Sequence, residues 1–358
     1  MRTDAQVRPA AGAPVKGAPR FVAASSRPQG TDMLDITEVD ALEALVLVDN
    51  ATDSLSSNPP GVLPEWSVLF SGGKWRLLAG SNICCAHHGL SVLLTASVGS
   101  QRRTLLFDAG PASATFQRNA EILGVDFASI EAVVLSHGHW DHAGGLLEAL
   151  RSIARGRRGK SFTCHVHPGM FRQRATSRPD GQLYVNEIVP TLEQLAQAGA
   201  NVVNTREPQS IAGGAFYVSG EIPRVTSYEA GVPNHFTRSL DGTSWESDPL
   251  IMDERYVSVN VRGKGQFVFS ACSHAGIVNI LTHARSMFPS VPIYGAMGGL
   301  HLSGINERVI PQTVADLKTF GLKLLAPGHC TGWRAVSQMA REFGDLLVPS
   351  AVGKKYLM

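Results

Sequence analysis

The chain has little charge of either sign, an odd and small set of cysteines, and no apolar run near its start. Charged residues make up 17% of its 358 positions and the formal net charge is +2. No global field therefore draws it to nucleic acid or to an acidic membrane surface. The five cysteines, Cys84, Cys85, Cys164, Cys272 and Cys330, follow neither CxxC nor disulfide-scaffold spacing, which favours a reducing compartment and makes the cytoplasm the expected location. Residues 1–32 are rich in Ala, Pro, Arg and Gly without an apolar stretch, so they fit neither a secretory signal nor a membrane span. They read as a disordered leader. An organelle transit peptide is the alternative, and Pro9, Pro14, Pro19 and Pro28 spoil the amphipathic helix it needs.

What is present is a chain long enough, at 44% hydrophobic content, to build a sizeable core. Residues 33–358 are expected to form a single domain. Short apolar runs at Leu45–Val48, Ser91–Val98 and Arg103–Phe107 predict strands, and Ala114–Leu123 a helix. The second half repeats the pattern, with strands predicted at Tyr256–Val261, Gln266–Ala271 and Lys323–Leu325. Helices are predicted at Ile277–Met287, Glu307–Phe320 and Arg334–Phe343. Strands interleaved with helices in both halves suggest an α/β (α+β) fold of two packed sheets under outer helices. Two stretches, near 50–75 and 217–253, are polar and proline-punctuated without periodicity and are expected to be insertions or long loops.

The densest chemistry lies in His137-Gly-His139-Trp-Asp141-His142, three imidazoles and a carboxylate within six residues. The run Ala132–Leu135 before it reads as a buried strand, and Ala143–Leu150 after it as the opening of a helix. In the extended approach His137 and His139 project the same way, while Asp141 and His142 at the helix start can face a second point nearby. That spacing can hold two cations side by side. Neutral imidazole and carboxylate suit zinc, manganese or iron, and a catalytic ion needs few protein ligands so that water can bind. The dipole of the helix beginning at Asp141 favours an anionic group beside the metals, and Gly144 and Gly145 are expected to let the backbone pass close to them.

This HxHxDH pattern after a strand resembles the metallo-β-lactamase superfamily. Thr104–Gly110, with Asp108, is similar to its first motif. Phe269–Ile280, Gly298–Leu302 and Ala326–Cys330 look like its dihydropterin ribofuranosylaminobenzene phosphate synthase-like branch, and the likeness spans roughly residues 44–335, including Val48-Asp49-Asn50 and His88–Ser91. The resemblance implies a four-layer αββα sandwich. It implies that His137 and His139 hold a first metal, that Asp141, His142 and His329 hold a second, and that Asp108 orients the histidine region. Where the superfamily usually supplies the first site's third histidine, this chain has Asp253-Glu254-Arg255, and His274 is the natural substitute. Where a bridging aspartate is usual, it has Cys272, either a thiolate ligand or a buried apolar side chain supporting the site. One or two Zn2+ ions are expected, with Mn2+ or Fe2+ as alternatives.

His301 and His88 either contact substrate or donate a proton, or are hydrogen-bonded histidines packed under loops. The same choice holds for His165 and His167. The basic run Arg151–Lys160 reads as a solvated helix end, and no aromatic and basic interleaving points to nucleic acid. Arg172 and Arg174 are either exposed helix residues or a phosphate grip. The leading expectation is a metal-dependent hydrolase that uses metal-bound hydroxide on a small-molecule ester, lactone, amide or phosphoester, with Asp141 accepting the water proton and His301 as the second catalytic candidate. An iron-dependent oxidoreductase on the same fold, or a non-catalytic sensor, are the alternatives. A small-molecule partner is expected, with no nucleic acid and no membrane, and a homo-oligomer stays open.

Overall fold

The structure is a computed structural model that describes residues 34, 36–71 and 77–358. The expected leader lies outside these residues, as do residues 72–75 of the first expected insertion. Asp35–Met358 cluster as one compact unit.

Among the described residues, two sheets carry the fold. The first has eight strands in the order Asn201–Asn204, Thr163–Val166, Ile130–Val134, Gln101–Phe107, Ser91–Val98, Ala41–Val48, Lys355–Leu357 and Val62–Leu63. The second has seven. Its path runs Gln209–Ile211, Phe216–Val218, Tyr256–Val261, Gly265–Ser270, Ile293–Gly299 and Leu324–Gly328, with Glu38–Val39 pairing beside Tyr256–Val261. Strand alternation explains why they stack. In Ala41–Val48, Leu42, Ala44 and Val46 enter a cluster with Val257, Phe267 and Phe269 of the other sheet, while Leu45 and Leu47 face the opposite way. Those outward positions pack under the helices Ser113–Leu123 and Leu146–Arg157. Leu146, Ala149, Leu150 and Ile153 of the latter are buried at helical spacing, which is the stripe that seats it. The expected αββα sandwich is the observed fold.

Two expectations are corrected and one strand is added. The stretch 217–253 contains strands at His235–Arg238 and Trp245–Ser247, which join Arg174–Ser177 and Leu183–Val185 in a separate four-stranded sheet. Strands of three or four residues are too short to show a period. Ile293–Gly299 is a central strand although glycine weakens strand signals. A side chain at Gly295 would collide with the Phe267 ring and the Leu324 carbonyl, so closeness of neighbours demands glycine there. The helix expected over Glu307–Phe320 splits into a 3-10 turn, Gly304–Val309, and an α-helix, Ile310–Lys318. Pro311 lacks the N–H needed to continue one helix and suits the first turn of the next.

The strands Gln101–Phe107 and Ile130–Val134 are parallel, as are Gly265–Ser270, Ile293–Gly299 and Leu324–Gly328. Their carboxyl ends deliver Asp108, His137, His274, His301 and His329 in turn. Ligand sites of α/β sheets gather at such ends because connecting loops converge there.

Candidate metal centre

Asp108 organises the site. Its carboxylate is fully buried and accepts hydrogen bonds from Ser136 N and Ser136 Oγ, each at 2.7 Å, and from His142 Nδ1 at 2.7 Å. Ser136 Oγ gives its proton to Asp108, so it accepts from His137 Nδ1 at 2.8 Å. The Nε2 lone pairs of His137 and His142 are thereby turned inward. His329 is aimed the same way. Its Nδ1 donates to Asn50 Oδ1 at 3.0 Å, and its buried Nε2 has no hydrogen-bond partner.

The bare nitrogens meet in two groups. His137 Nε2 lies 3.0 Å from His139 Nδ1 and 3.2 Å from His274 Nε2. Asp141 Oδ2 lies 3.3 Å from His329 Nε2 and 3.7 Å from His142 Nε2. A tetrahedron of ligands about 2.0–2.3 Å from an ion has edges of roughly 3.3–3.8 Å. The ligand atoms of Asp141, His142, Cys272 and His329 all lie within 4.8 Å of one another, as do those of His137, Cys272 and His274, while His139 approaches the second of these sets through His137. Cys272 Sγ stands 3.2 Å from His142 Nε2 and falls within 4.8 Å of ligand atoms of His137 and His274 on one side and of Asp141, His142 and His329 on the other. It lies between them. The donor set fits divalent ions of the zinc type.

The electrostatics agree. Burial, then the neighbouring imidazoles, push His137 and His274 well below the ordinary histidine range, and burial with His274 beside it does the same to His139. Neutral rings keep lone pairs to give. Burial raises Asp141, but His142 and His329 outweigh it and hold the carboxyl below its usual range. Burial opposes a proton on His142, yet Asp141 and Asp108 raise it to about 9. Carboxylates that favour a proton on that ring favour a metal cation in its place. Burial pushes the Cys272 thiol well up, and a cation beside it would favour the thiolate.

Asp253, Glu254 and Arg255 brace this arrangement. Asp253 Oδ2 accepts from Gly138 N at 2.8 Å and pairs with Arg174. The Glu254 carboxylate accepts from the backbone of His274 at 2.8 Å and Ala275 at 2.6 Å, and Arg255 N donates to Ser136 O at 2.8 Å. Arg174 is thus a buried strand residue, neither exposed on a helix nor free for phosphate. Arg172 pairs with Glu246 and with the Arg238 carbonyl. Gly144 and Gly145 pass close to the backbone of Ala109–Pro111, not to the ligand groups, and a side chain at either would collide there.

The donors floor a cleft of about 450 Å3 lined also by Asn50, His88, Trp140, Thr176, Asn186 and His235. His88 takes a hydrogen bond on Nδ1 from Asn50 Nδ2 at 3.0 Å, which leaves a proton on Nε2, 3.5 Å from Asp141 Oδ2. His301 has its ring 4.4 Å from that of His274 and a buried Nδ1 without a partner. His235, which the sequence did not single out, is brought by the four-stranded sheet to 5.2 Å from the His139 ring. Burial lowers it to about 4, and its Nδ1 is buried without a hydrogen bond. Its only sequence signal was being a histidine in a polar stretch. His165 is spent on Gln209 and Thr163, while His167 accepts from Gly169 N and faces Glu221.

Residues 87–158 match the family model described as the metallo-beta-lactamase superfamily. Among solved structures, a metal-dependent hydrolase of the beta-lactamase superfamily aligns with a TM-score of 0.63 at 23% identity, over 88% of this chain and 98% of that one. The chain thus carries a stretch similar to the metallo-β-lactamase superfamily and shares that superfamily's fold, which implies divalent metal binding. It is 27% identical over 263 residues to 7,8-dihydropterin-6-methyl-4-(beta-D-ribofuranosyl)-aminobenzene-5'-phosphate synthase of Methanocaldococcus jannaschii, covering 73% of this chain and 86% of that protein. An uncharacterized protein of the same organism is 27% identical over 256 residues, covering 72% and 88%. Among the described residues, no helix is long and apolar enough to cross a membrane.

Proposed function

We propose that His137, His139 and His274 hold one divalent ion, that Asp141, His142 and His329 hold a second with Cys272 between them, and that the chain is a metal-dependent hydrolase of small molecules. The observation that carries this reading is the inward aim of the lone pairs, set by Asp108, Ser136 and Asn50, at the floor of an open cleft. Ions bound there supply Lewis acidity and a water that ionises near neutrality. The chain's own groups bind and protonate. His88 offers its Nε2 proton at the cleft to a carbonyl oxygen or leaving group, and burial, then His329, keep that ring below its ordinary pKa and so neutral. His235, also in the lining, offers a second neutral ring to a polar substrate. Asp141 is placed to accept a proton.

Among the described residues, the cleft lining includes no lysine or arginine. A phosphate therefore finds no guanidinium fork there, and an ester, lactone or amide fits better than a phosphomonoester. A second reading, condensation on a pterin phosphate, is favoured by the identity to the synthase over most of its length. The deciding experiment loads the protein with Zn2+ or Mn2+ and compares kcat/KM on chromogenic esters, lactones, phosphomonoesters and phosphodiesters. Turnover of the carbonyl substrates that is lost with chelator and restored by metal is expected. Phosphoesters preferred over every carbonyl compound, or synthase turnover without hydrolysis, would overturn the proposal.

A further inference from the structure

Cys272 and Cys330 follow different strands, 58 positions apart, yet their sulfurs lie 3.5 Å from each other. Neither is in a disulfide. Both line the cleft, so a small reagent reaches them by the route a substrate would take. A nitrogen of His301 lies within 4.8 Å of both sulfurs. The remaining cysteines are differently placed: Cys164 is fully buried in the outer hydrophobic cluster, and Cys84 and Cys85 lie near the Glu65 and Asn119 side chains.

We propose that Cys272 and Cys330 form a site of oxidative modification, at which a hydroperoxide joins them in a disulfide that closes the metal centre. In the first step one thiol sulfur takes an oxygen from the peroxide, whose other oxygen leaves as water, or as alcohol from an alkyl hydroperoxide. The product is a sulfenic acid. The second sulfur then attacks it, the S–O bond breaks, the S–S bond forms, and the oxygen leaves as a second water. Two thiols are oxidised by two electrons and one peroxide is reduced. The sulfurs must close from 3.5 Å to a bond of about 2.05 Å, a movement on the scale of a rotamer adjustment.

The consequence rests on the ligand reading proposed above. Cys272 Sγ is the atom common to both donor groups, and in a disulfide it carries no charge and binds metal poorly. One modification thus weakens both sites. A bound cation covers the same sulfur, so the metal-free protein is the vulnerable form and the loaded protein is shielded.

The test treats chelator-stripped, full-length protein with one equivalent of hydrogen peroxide and follows intact mass, peptide linkage and Zn2+ uptake. Expected are loss of two hydrogens, a Cys272–Cys330 cross-link, zinc binding weakened by about tenfold or more, and recovery of both properties with dithiothreitol. Metal-loaded protein should resist. Cys330→Ser should lose the cross-link and the thiol-reversible block, and any oxidation of its Cys272 should add oxygen instead. No cross-link, or one through Cys84, Cys85 or Cys164, overturns the proposal. A Cys272–Cys330 cross-link with unchanged zinc uptake overturns the closure and removes Cys272 from the donor groups. A failed hydrolytic panel on reduced, loaded protein with the cross-link still blocking zinc uptake sinks the hydrolase reading alone.

Discussion

Asp108, Ser273, His301 and His329 all sit in the left-handed backbone region, at φ of 58°, 58°, 44° and 45°. Each such residue costs of order 1 kcal/mol or more, and strain of this kind persists where the surrounding structure holds it for a purpose. Here the purpose is aim. Asp108→Asn replaces an anion that accepts three hydrogen bonds with an amide that cannot accept them all. Zinc affinity should fall by about 10- to 100-fold in a competition titration with a chromophoric chelator, and unchanged affinity would contradict the orienting role. His139→Ala should lower metal content and turnover together in elemental analysis, whereas His301→Ala and His235→Ala should keep the metal and lose turnover. The reverse pattern would exchange these roles. The cluster from His137 to His142 was legible because its members are chain neighbours whose spacing alone places them. His235 was not legible, since only the pairing of its strand with Arg174–Ser177 carries it over the cleft.

Elements behave as their local patterns require. The helix Leu146–Arg157 is held by an apolar stripe, and Leu150→Ala should cost about 2–5 kcal/mol in urea unfolding without altering the donor geometry. Full stability in that variant would mean the helix is not anchored by its core face. Glu229 meets the start of the helix Ile277–Met287, accepting from Val278 N at 2.9 Å and Asn279 N at 2.7 Å. Burial raises its carboxyl to about 7 against the opposing pull of those N–H groups. An unfolded glutamate titrates near pH 4.3, so between the two values the folded state holds a proton that the unfolded chain has lost. Stability from this group therefore falls as pH rises from about 4.3 to 7. Thermal melts across that window should show a downward slope in the wild type that is reduced in Glu229→Gln, whatever the offset between the two. Equal slopes would reject the assignment.

At the scale of the molecule, loops from both sheets share one centre, so a bound ion links halves that are distant in sequence. A ligand at 1,000 times its dissociation constant stabilises the native state by about 4 kcal/mol per site. Chelation should accordingly lower the melting temperature by several degrees, with Zn2+ restoring it. A melting temperature indifferent to chelator and to added Zn2+, Mn2+ and Fe2+ would contradict the metal centre altogether.

The sequence by itself determined the layered α/β class and the strand-to-helix turn bearing His137, His139, Asp141 and His142, because periodicity and close spacing act over a few residues, whereas the supporting place of Asp108 was expected from the family resemblance. Only the tertiary structure decided that Asp253, Glu254 and Arg255 brace the site, that Arg174 is buried against Asp253, that His235 lines the cleft, and that Cys272 meets Cys330. Each of these depends on which strands lie side by side, and that is settled by the burial of two sheet faces against each other, a property of the whole chain that no short stretch contains.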